Sequence, residues 1–401
     1  MSSALVARLS SRLRPGSTVA LGDGAGALRR LTDGTSVGAA ISAAARAVGS
    51  VRLLLGWMPR APEGIEPDAF SEVIALMPGW GLRAVMRCPN ARFVPSSVAG
   101  WPALLRGPLR PAVLVTRLVR GGRGLQFGAE VSYQRTLVDA GVEVLGVIDD
   151  TAPRASALPP IDDEQVRVVG YCDDGPAELS GKAPDSTDDA LADAVLKFIP
   201  AGARLQYGPG SVGTALLRRA QVPLRIDTGM LTDAVVDLDR RGLLEGTPSA
   251  TYLAGTDKLY RWADDRAILR GIEFTHDQTR LAHDDGPFIA VNTAVEIDPV
   301  GQVNVEGIGA DVIGGIGGHP DFCAAARISH GGLSIIAVRS ATGRAPLVPE
   351  LSRPVSTSAH TIDLIVTESG HVDLRTADWS ERRKLVADLF STARSHINAG
   401  T

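Results

Sequence analysis

"GSTVALGDGAGAL" (16–28) and "GARLQYGPGSVGTAL" (202–216) share one grammar. In each, a glycine opens a short apolar strand, the strand ends in G-x-G, and a helix-like run follows. A second pair lies downstream: "VRLLLGWM" (51–58) matches "LRIDTGML" (224–231) and sets Gly56 opposite Gly229. Each half therefore spells strand, glycine turn, helix, strand. That is a βαβ unit, and βαβ units build parallel sheets with helices on both faces. The expectation is an α/β protein of two similar, open, mainly parallel α/β domains, residues 1–185 and 186–401. Sites in such sheets lie at the carboxyl ends of strands, where both G-x-G turns sit.

Bulk composition narrows the function classes. With 401 residues and 44% hydrophobic content, the chain can build more than one core. A net charge of −4 argues against nucleic acid or an anionic membrane as partner. No apolar run reaches the ~18 residues that a membrane helix needs. The basic start, "MSSALVARLSSRLRPG", has no secretory apolar region and is expected to be a surface helix ended by Pro15-Gly16. Cys88, Cys172 and Cys323 lie far apart, with neither a disulfide framework nor metal-ligand spacing. A reducing cytoplasm and no metal are the matching expectations.

Residues 150–187 are rich in proline and acids and read as an irregular connection with one strand at "VRVVGY" (166–171). A helix at "TDDALADAVLKFI" leads into the second half, with strands expected at 288–297, 333–340 and 363–368. A last helix, about 379–396, carries Asp378 as N-cap and Glu381 three residues on.

The sharpest local feature is "GGIGGHPDF" (314–322), which ends a run of seven glycines within 301–318. Pro320 suits the first turn of a helix, and "DFCAAARIS" continues it to Gly331-Gly332. The loop thus delivers a helix N-terminus whose unpaired amides suit an anion or a developing oxyanion. Gly315, Gly317 and Gly318 are the candidate ligand contacts, with Gly208 and Gly210 in the other turn. "YGPGSVG" (207–213) also satisfies G-x-G-x-x-G, and Asp227 follows Gly208 by 19 residues. As a dinucleotide site it is weakened by its twin at 22–26, which lacks the third glycine, and by Pro209, which has no amide to give a pyrophosphate.

In the order and spacing of its blocks the C-terminal part resembles the acetyl-CoA hydrolase/transferase family. The blocks are "NTAVEIDPVGQVNVE" (292–306), "GGIGGHPDF" (314–322), "GGLSIIAV" (331–338) and "VTESGHVDLR" (366–375), with weaker likeness at "LQYGPGSVGTAL" and "GMLTDAVVDL". The resemblance implies two similar α/β domains with the site at their interface, and acyl-CoA as substrate, so that coenzyme A is the co-substrate. It implies transfer of CoA between carboxylic acids, or hydrolysis or cleavage of an acyl-CoA. In the family a glutamate attacks the acyl-CoA, and an acyl-glutamyl anhydride and then a glutamyl-CoA thioester follow. Glu368 matches a second glutamate of that site, and the glycine loop keeps the family pattern.

Three departures stand out. Gly229 occupies the place of the nucleophilic glutamate, Pro209 replaces a residue whose amide serves the oxyanion, and His276 aligns with a family asparagine. Asp227, two residues before Gly229, shares its strand face. Asp227 or His276 is therefore the candidate general base, which points toward hydrolysis or cleavage of the acyl-CoA. His319 and His330 flank the loop helix as candidate contacts for a CoA phosphate, while Asp233 and Asp237 fit a structural helix pattern. Rival readings are a catalytically silent CoA-binding subunit or scaffold, and a protein that binds a nucleotide or sugar phosphate. A small carboxylate co-substrate, a homodimer and a partner subunit all remain open.

Overall fold

The protein is described by a computed structural model covering residues 4–340 and 345–398. It divides into two compact units, one of Met1–Leu179 with Ala250–Phe274, the other of Ser180–Ser249 with Thr275–Thr401. Residues 250–274, expected within the C-terminal half, thus pack with the N-terminal one.

In the first unit seven parallel strands run in the order Ala91–Phe93, Glu72–Ala75, Arg52–Leu55, Thr18–Leu21, Val113–Gly121, Glu143–Ile148, Val166–Tyr171. Gly124–Gln126 turns back antiparallel on Val113–Gly121. The Thr18–Leu21 strand is buried at every position, which explains why it reads as a continuous apolar run rather than an alternation. Helix Ala4–Arg12 buries Leu5 and Leu9 in the core of this unit.

The second unit repeats the plan with Arg225–Ile226, Arg204–Tyr207, Phe288–Asn292, Leu333–Ala337 and Leu364–Thr367 in parallel, closed by antiparallel Gly370–Asp373. Asp378 accepts the amides of Ser380 and Glu381 at 2.8 Å, and Glu381 returns to the Asp378 amide at 3.1 Å. This capping box opens the last helix, Trp379–Asn398, as expected. The segment 288–297 breaks into Phe288–Asn292 and Glu296–Ile297 instead of one strand.

The two sheets correspond residue by residue at one point. Leu21 pairs with Val115, and the Gly22 amide donates to Val115 O at 2.7 Å. Tyr207 pairs with Val291, and the Gly208 amide donates to Val291 O at 3.0 Å. In both units the first strand pairs with the second on one side and with a later strand on the other, so the direction of winding reverses beside the G-x-G turn. Such a switch point opens a crevice at the strand ends. The helices differ, however. After Gly210 the helix Ser211–Arg219 starts at once, whereas after Gly22–Gly26 no helix begins until Val37–Val48, capped by Ser36.

Candidate functional site

At the second unit's switch point lies a cavity of about 310 Å³. Its walls are the turn Gly208–Gly213, the strand end Val291–Val295, and Val338 and Arg339. Gly208 and Gly210, two predicted ligand glycines, therefore line an open site. Gly210 sits at φ 147°, a backbone closed to ordinary side chains, and it aims the first turn of helix Ser211–Arg219 at the cavity. The first-turn amides of a helix have no partner within it. Arg339 is held by Asp188 at 3.0 Å and by Asp185 at 2.8 Å. Gly213 is fixed by close approach, since a Cβ there would strike Gly208 O. Gly213→Ala should cost about 1–3 kcal/mol by overpacking the turn. Thermal melts of the variant read that loss.

A second constellation sits on the same sheet, around the start of helix His319–Ile328. Gly317 has φ 66°, and Gly318 is the helix N-cap with Pro320 in the first turn. Gly315 lies in the irregular stretch before them. His276 packs against this end. A Cβ at Gly318 would come 2.5 Å from His276 Nε2, and a Cβ at Gly229 would come 3.4 Å from the same atom. The imidazole thus occupies the space in front of Gly229 and Gly318. Phe322 tilts against it with centroids 4.7 Å apart, and Thr275 Oγ1 lies 2.9 Å from Nδ1. His276 is buried, and desolvation, aided by the nearby Arg280 charge, lowers its pKa to about 3. The cavity walls do not include this cluster. The two meet at strand Phe288–Asn292, where Asn292 Nδ2 lies 3.8 Å from Cys323 Sγ of the loop helix.

Asp227 does not stand free as a base. Both its oxygens accept from Arg280, at 2.7 and 2.9 Å, and Arg204 lies 3.6 Å away. Arg280 comes from the helix Gln278–His283, which Asp277 caps just after His276. Both carboxylate oxygens are thus already taken up by a guanidinium. The same pairing removes the ribose-binding acid that a dinucleotide reading needs.

Glu368 closes on Ser340, accepting its amide at 2.9 Å and its hydroxyl. His319 Nε2 donates to Thr293 O at 3.0 Å, so Nδ1 is left to accept from Thr357 Oγ1 at 2.6 Å. Burial lowers its pKa to about 4, and it ties the helix start to the cavity wall rather than reaching for a phosphate. His330 is exposed beyond the opposite end of the helix. Asp233 is the N-cap residue of helix Ala234–Arg240, where Asp237 lies 3.9 Å from Arg240.

Donor atoms of Asp149, Cys172 and Asp174 also converge in the first unit. The Arg117 guanidinium bridges the two carboxylates, which makes the group an ion-pair cluster. Sequence alone gave no sign of Thr275, Phe322 or Arg280, whose roles arise from contacts made on folding.

Residues 255–394 match the acetyl-CoA hydrolase/transferase C-terminal domain. Over these residues the chain is similar to acetyl-CoA hydrolases and CoA-transferases. Among curated proteins, 4-hydroxybutyrate coenzyme A transferase of Clostridium kluyveri is 25% identical over 66% of this chain and 65% of its own length. Butyryl-CoA:acetate CoA-transferase of Anaerostipes caccae is 34% identical over 41% of this chain and 40% of its own. The matches thus span less than two thirds of either relative. The fold likeness is broader: the crystal structure of RipA from Yersinia pestis superposes with a TM-score of 0.80 at 21% identity, over 98% of this chain and 96% of that one. No helix among the described residues is long and apolar enough to cross a membrane.

Proposed function

We propose that this chain acts on an acyl-CoA and hydrolyses its thioester with water, rather than passing CoA through a glutamyl intermediate. The observation that carries this reading is the imidazole of His276 lying between Gly229 and Gly318. A glutamyl intermediate needs a carboxylate at position 229, and glycine offers none. Asp227, two residues before Gly229, is engaged by Arg280. What faces the start of the glycine-loop helix is a neutral imidazole.

With Nδ1 donating to Thr275 Oγ1, Nε2 presents a lone pair toward Gly229 and Gly318. Water placed there gives its proton to Nε2 as it attacks the thioester carbonyl. The tetrahedral intermediate collapses by breaking the C–S bond, the CoA sulfur takes the proton back from Nε2, and the acyl group departs as a carboxylic acid that gives its remaining proton to solvent. Amides at the helix start stabilise the oxyanion. The low basicity of His276 is offset in the transition state, because negative charge forming on the oxyanion favours the imidazolium beside it. The cavity at Gly208–Gly213 takes part of the CoA, and the strand end at Asn292–Thr293 joins it to the reacting end.

Two measurements test this. CoA at about 100 times its dissociation constant should add about 2.7 kcal/mol of stability, seen as a higher melting temperature. Acetyl-CoA and longer acyl-CoAs should release free thiol without any acceptor acid. Thiol release that requires an added carboxylate would restore transfer instead. A CoA-induced rise without turnover would leave a CoA-binding subunit. No rise with CoA would remove the reading.

A further inference from the structure

The chain carries two glycine turns at two equivalent switch points, and only one of them is open. Beside Gly208 lies the cavity of about 310 Å³. The hollow beside the first unit's turn, lined by Gly24, Ala25 and Ala27 among others, holds only about 30 Å³. The difference lies in what occupies the first turn. Glu130 is buried, and its Oε2 accepts the Gly26 amide at 2.7 Å. A Cβ on either Gly24 or Gly26 would overlap the Glu130 side chain, so these glycines make room for that carboxyl. Arg117, whose Nε donates to Gly26 O at 2.8 Å, stands behind it. An amide of a glycine turn and an arginine around a carboxyl group are the parts of a carboxyl-binding site with its occupant in place.

We infer that the first unit's turn is a duplicate of the second unit's ligand site, closed by the chain's own Glu130 carboxyl as a resident ligand. The wild-type protein therefore takes one CoA-type ligand per chain, in the second unit. Removing the Glu130 side chain uncovers a site for a small carboxylate in the first. The inference on stoichiometry rests on the function proposed above, whereas the inference on Glu130 does not.

The groups around the plug fit this reading. Asp23, the counterpart of Pro209, is also buried and accepts from Tyr252 at 2.7 Å, from the Trp57 amide at 3.1 Å and from Ser132 at 3.1 Å. Desolvation raises Glu130 to about 8, with the Asp23 charge adding to it and the Gly26 amide and Arg117 opposing it. The Asp23 carboxyl itself stands at about 6, again chiefly from desolvation. The plug is thus largely a neutral acid at neutral pH. A carboxyl raised in the folded state stabilises fully below its unfolded pKa and loses that contribution as pH climbs through the folded value. Stability of this unit should fall as pH rises from the ordinary carboxyl range to about 8 and level off above it.

The test compares wild type, Glu130→Ala and Glu130→Gln by thermal melting in acetate against chloride at matched ionic strength. Glu130→Ala should melt lower than wild type, and acetate should raise it by several degrees over chloride. Wild type and Glu130→Gln should show no such difference, since both keep the site filled. Absence of an acetate-specific rise in folded Glu130→Ala, or an equal rise in wild type, overturns the inference. If Glu130→Ala does not fold, the pH slopes decide. Wild type should lose melting temperature between about pH 5 and pH 8 more steeply than Glu130→Gln, and equal slopes overturn it. Isothermal titration of wild type should give one CoA per chain, and two would overturn the closed site. Failure of CoA to bind at all strikes the proposed function and leaves the acetate and pH results standing.

Discussion

Replacing His276 with alanine should cut acyl-CoA hydrolysis by about 10²–10⁴-fold, the span that a positioned general base supplies. KM should move far less than kcat, because the imidazole faces the reacting end and does not line the cavity. The variant also has a signature in the stability profile. The folded protein holds His276 neutral with its pKa lowered to about 3, chiefly by desolvation. An unfolded histidine takes its proton near 6.5. Between those values the unfolded chain binds the extra proton, so His276 costs stability as pH falls through that window. His276→Ala should flatten the acid limb of the stability profile. His276→Gln keeps much of the ring's contact area with Phe322 but cannot accept the proton, so it should fold well and stay inactive. A glutamine variant with wild-type turnover would remove His276 from the chemistry.

Which parts of this were legible in the sequence follows from how far each signal reaches along the chain. The repeated G-x-G grammar is local. Gly210 must be glycine for its φ of 147°, and Gly213 for its approach to Gly208 O. The sheet order follows from that grammar because βαβ connections leave few alternatives. The glycine loop was readable for the same reason, with Pro320 fixing where the helix starts. By contrast, the partner of Asp227 lies 53 residues away on another helix. From sequence alone Asp227 looks like a free acid beside an empty nucleophile position, and only folding reveals the guanidinium on both oxygens. Glu130 lies 104 residues from Gly26, and nothing in "FGAEVSY" marks it as the filling of a turn. The helix expected after Gly26 fails for a related reason. The backbone there wraps around a buried carboxyl, with the Gly24 amide donating to Trp57 O, instead of continuing into a helix.

Breaking the Asp227–Arg280 pair should unfold the second unit more readily while leaving turnover at neutral pH in place. Asp227 is 6% exposed, and the Arg280 side chain is 14% exposed. Removing one partner of so enclosed a pair leaves a charge without its counterion and costs about 3–5 kcal/mol. Arg280→Met should sit toward the lower end, because Arg204 stays 3.6 Å from Asp227. Asp227→Asn keeps the shape and one acceptor oxygen, so it should be the milder change. It leaves Arg280 to Asp284, 2.9 Å away. In a domain of this size 3 kcal/mol corresponds to a fall in melting temperature on the order of 10 °C. The Asp227→Ala/Arg280→Met double variant should cost less than the sum of its singles, since neither charge is stranded. Kinetics then separate the two roles open to Asp227. As a structural anchor, Asp227→Asn loses stability but keeps its turnover per folded molecule, measured well below the melting temperature. As a general base, it would keep its stability and lose turnover by orders of magnitude. Arg280→Met carries one further consequence. The Arg280 charge helps hold His276 neutral, so its removal should move the histidine pKa upward and shift the acid limb of the pH–rate profile in the same direction.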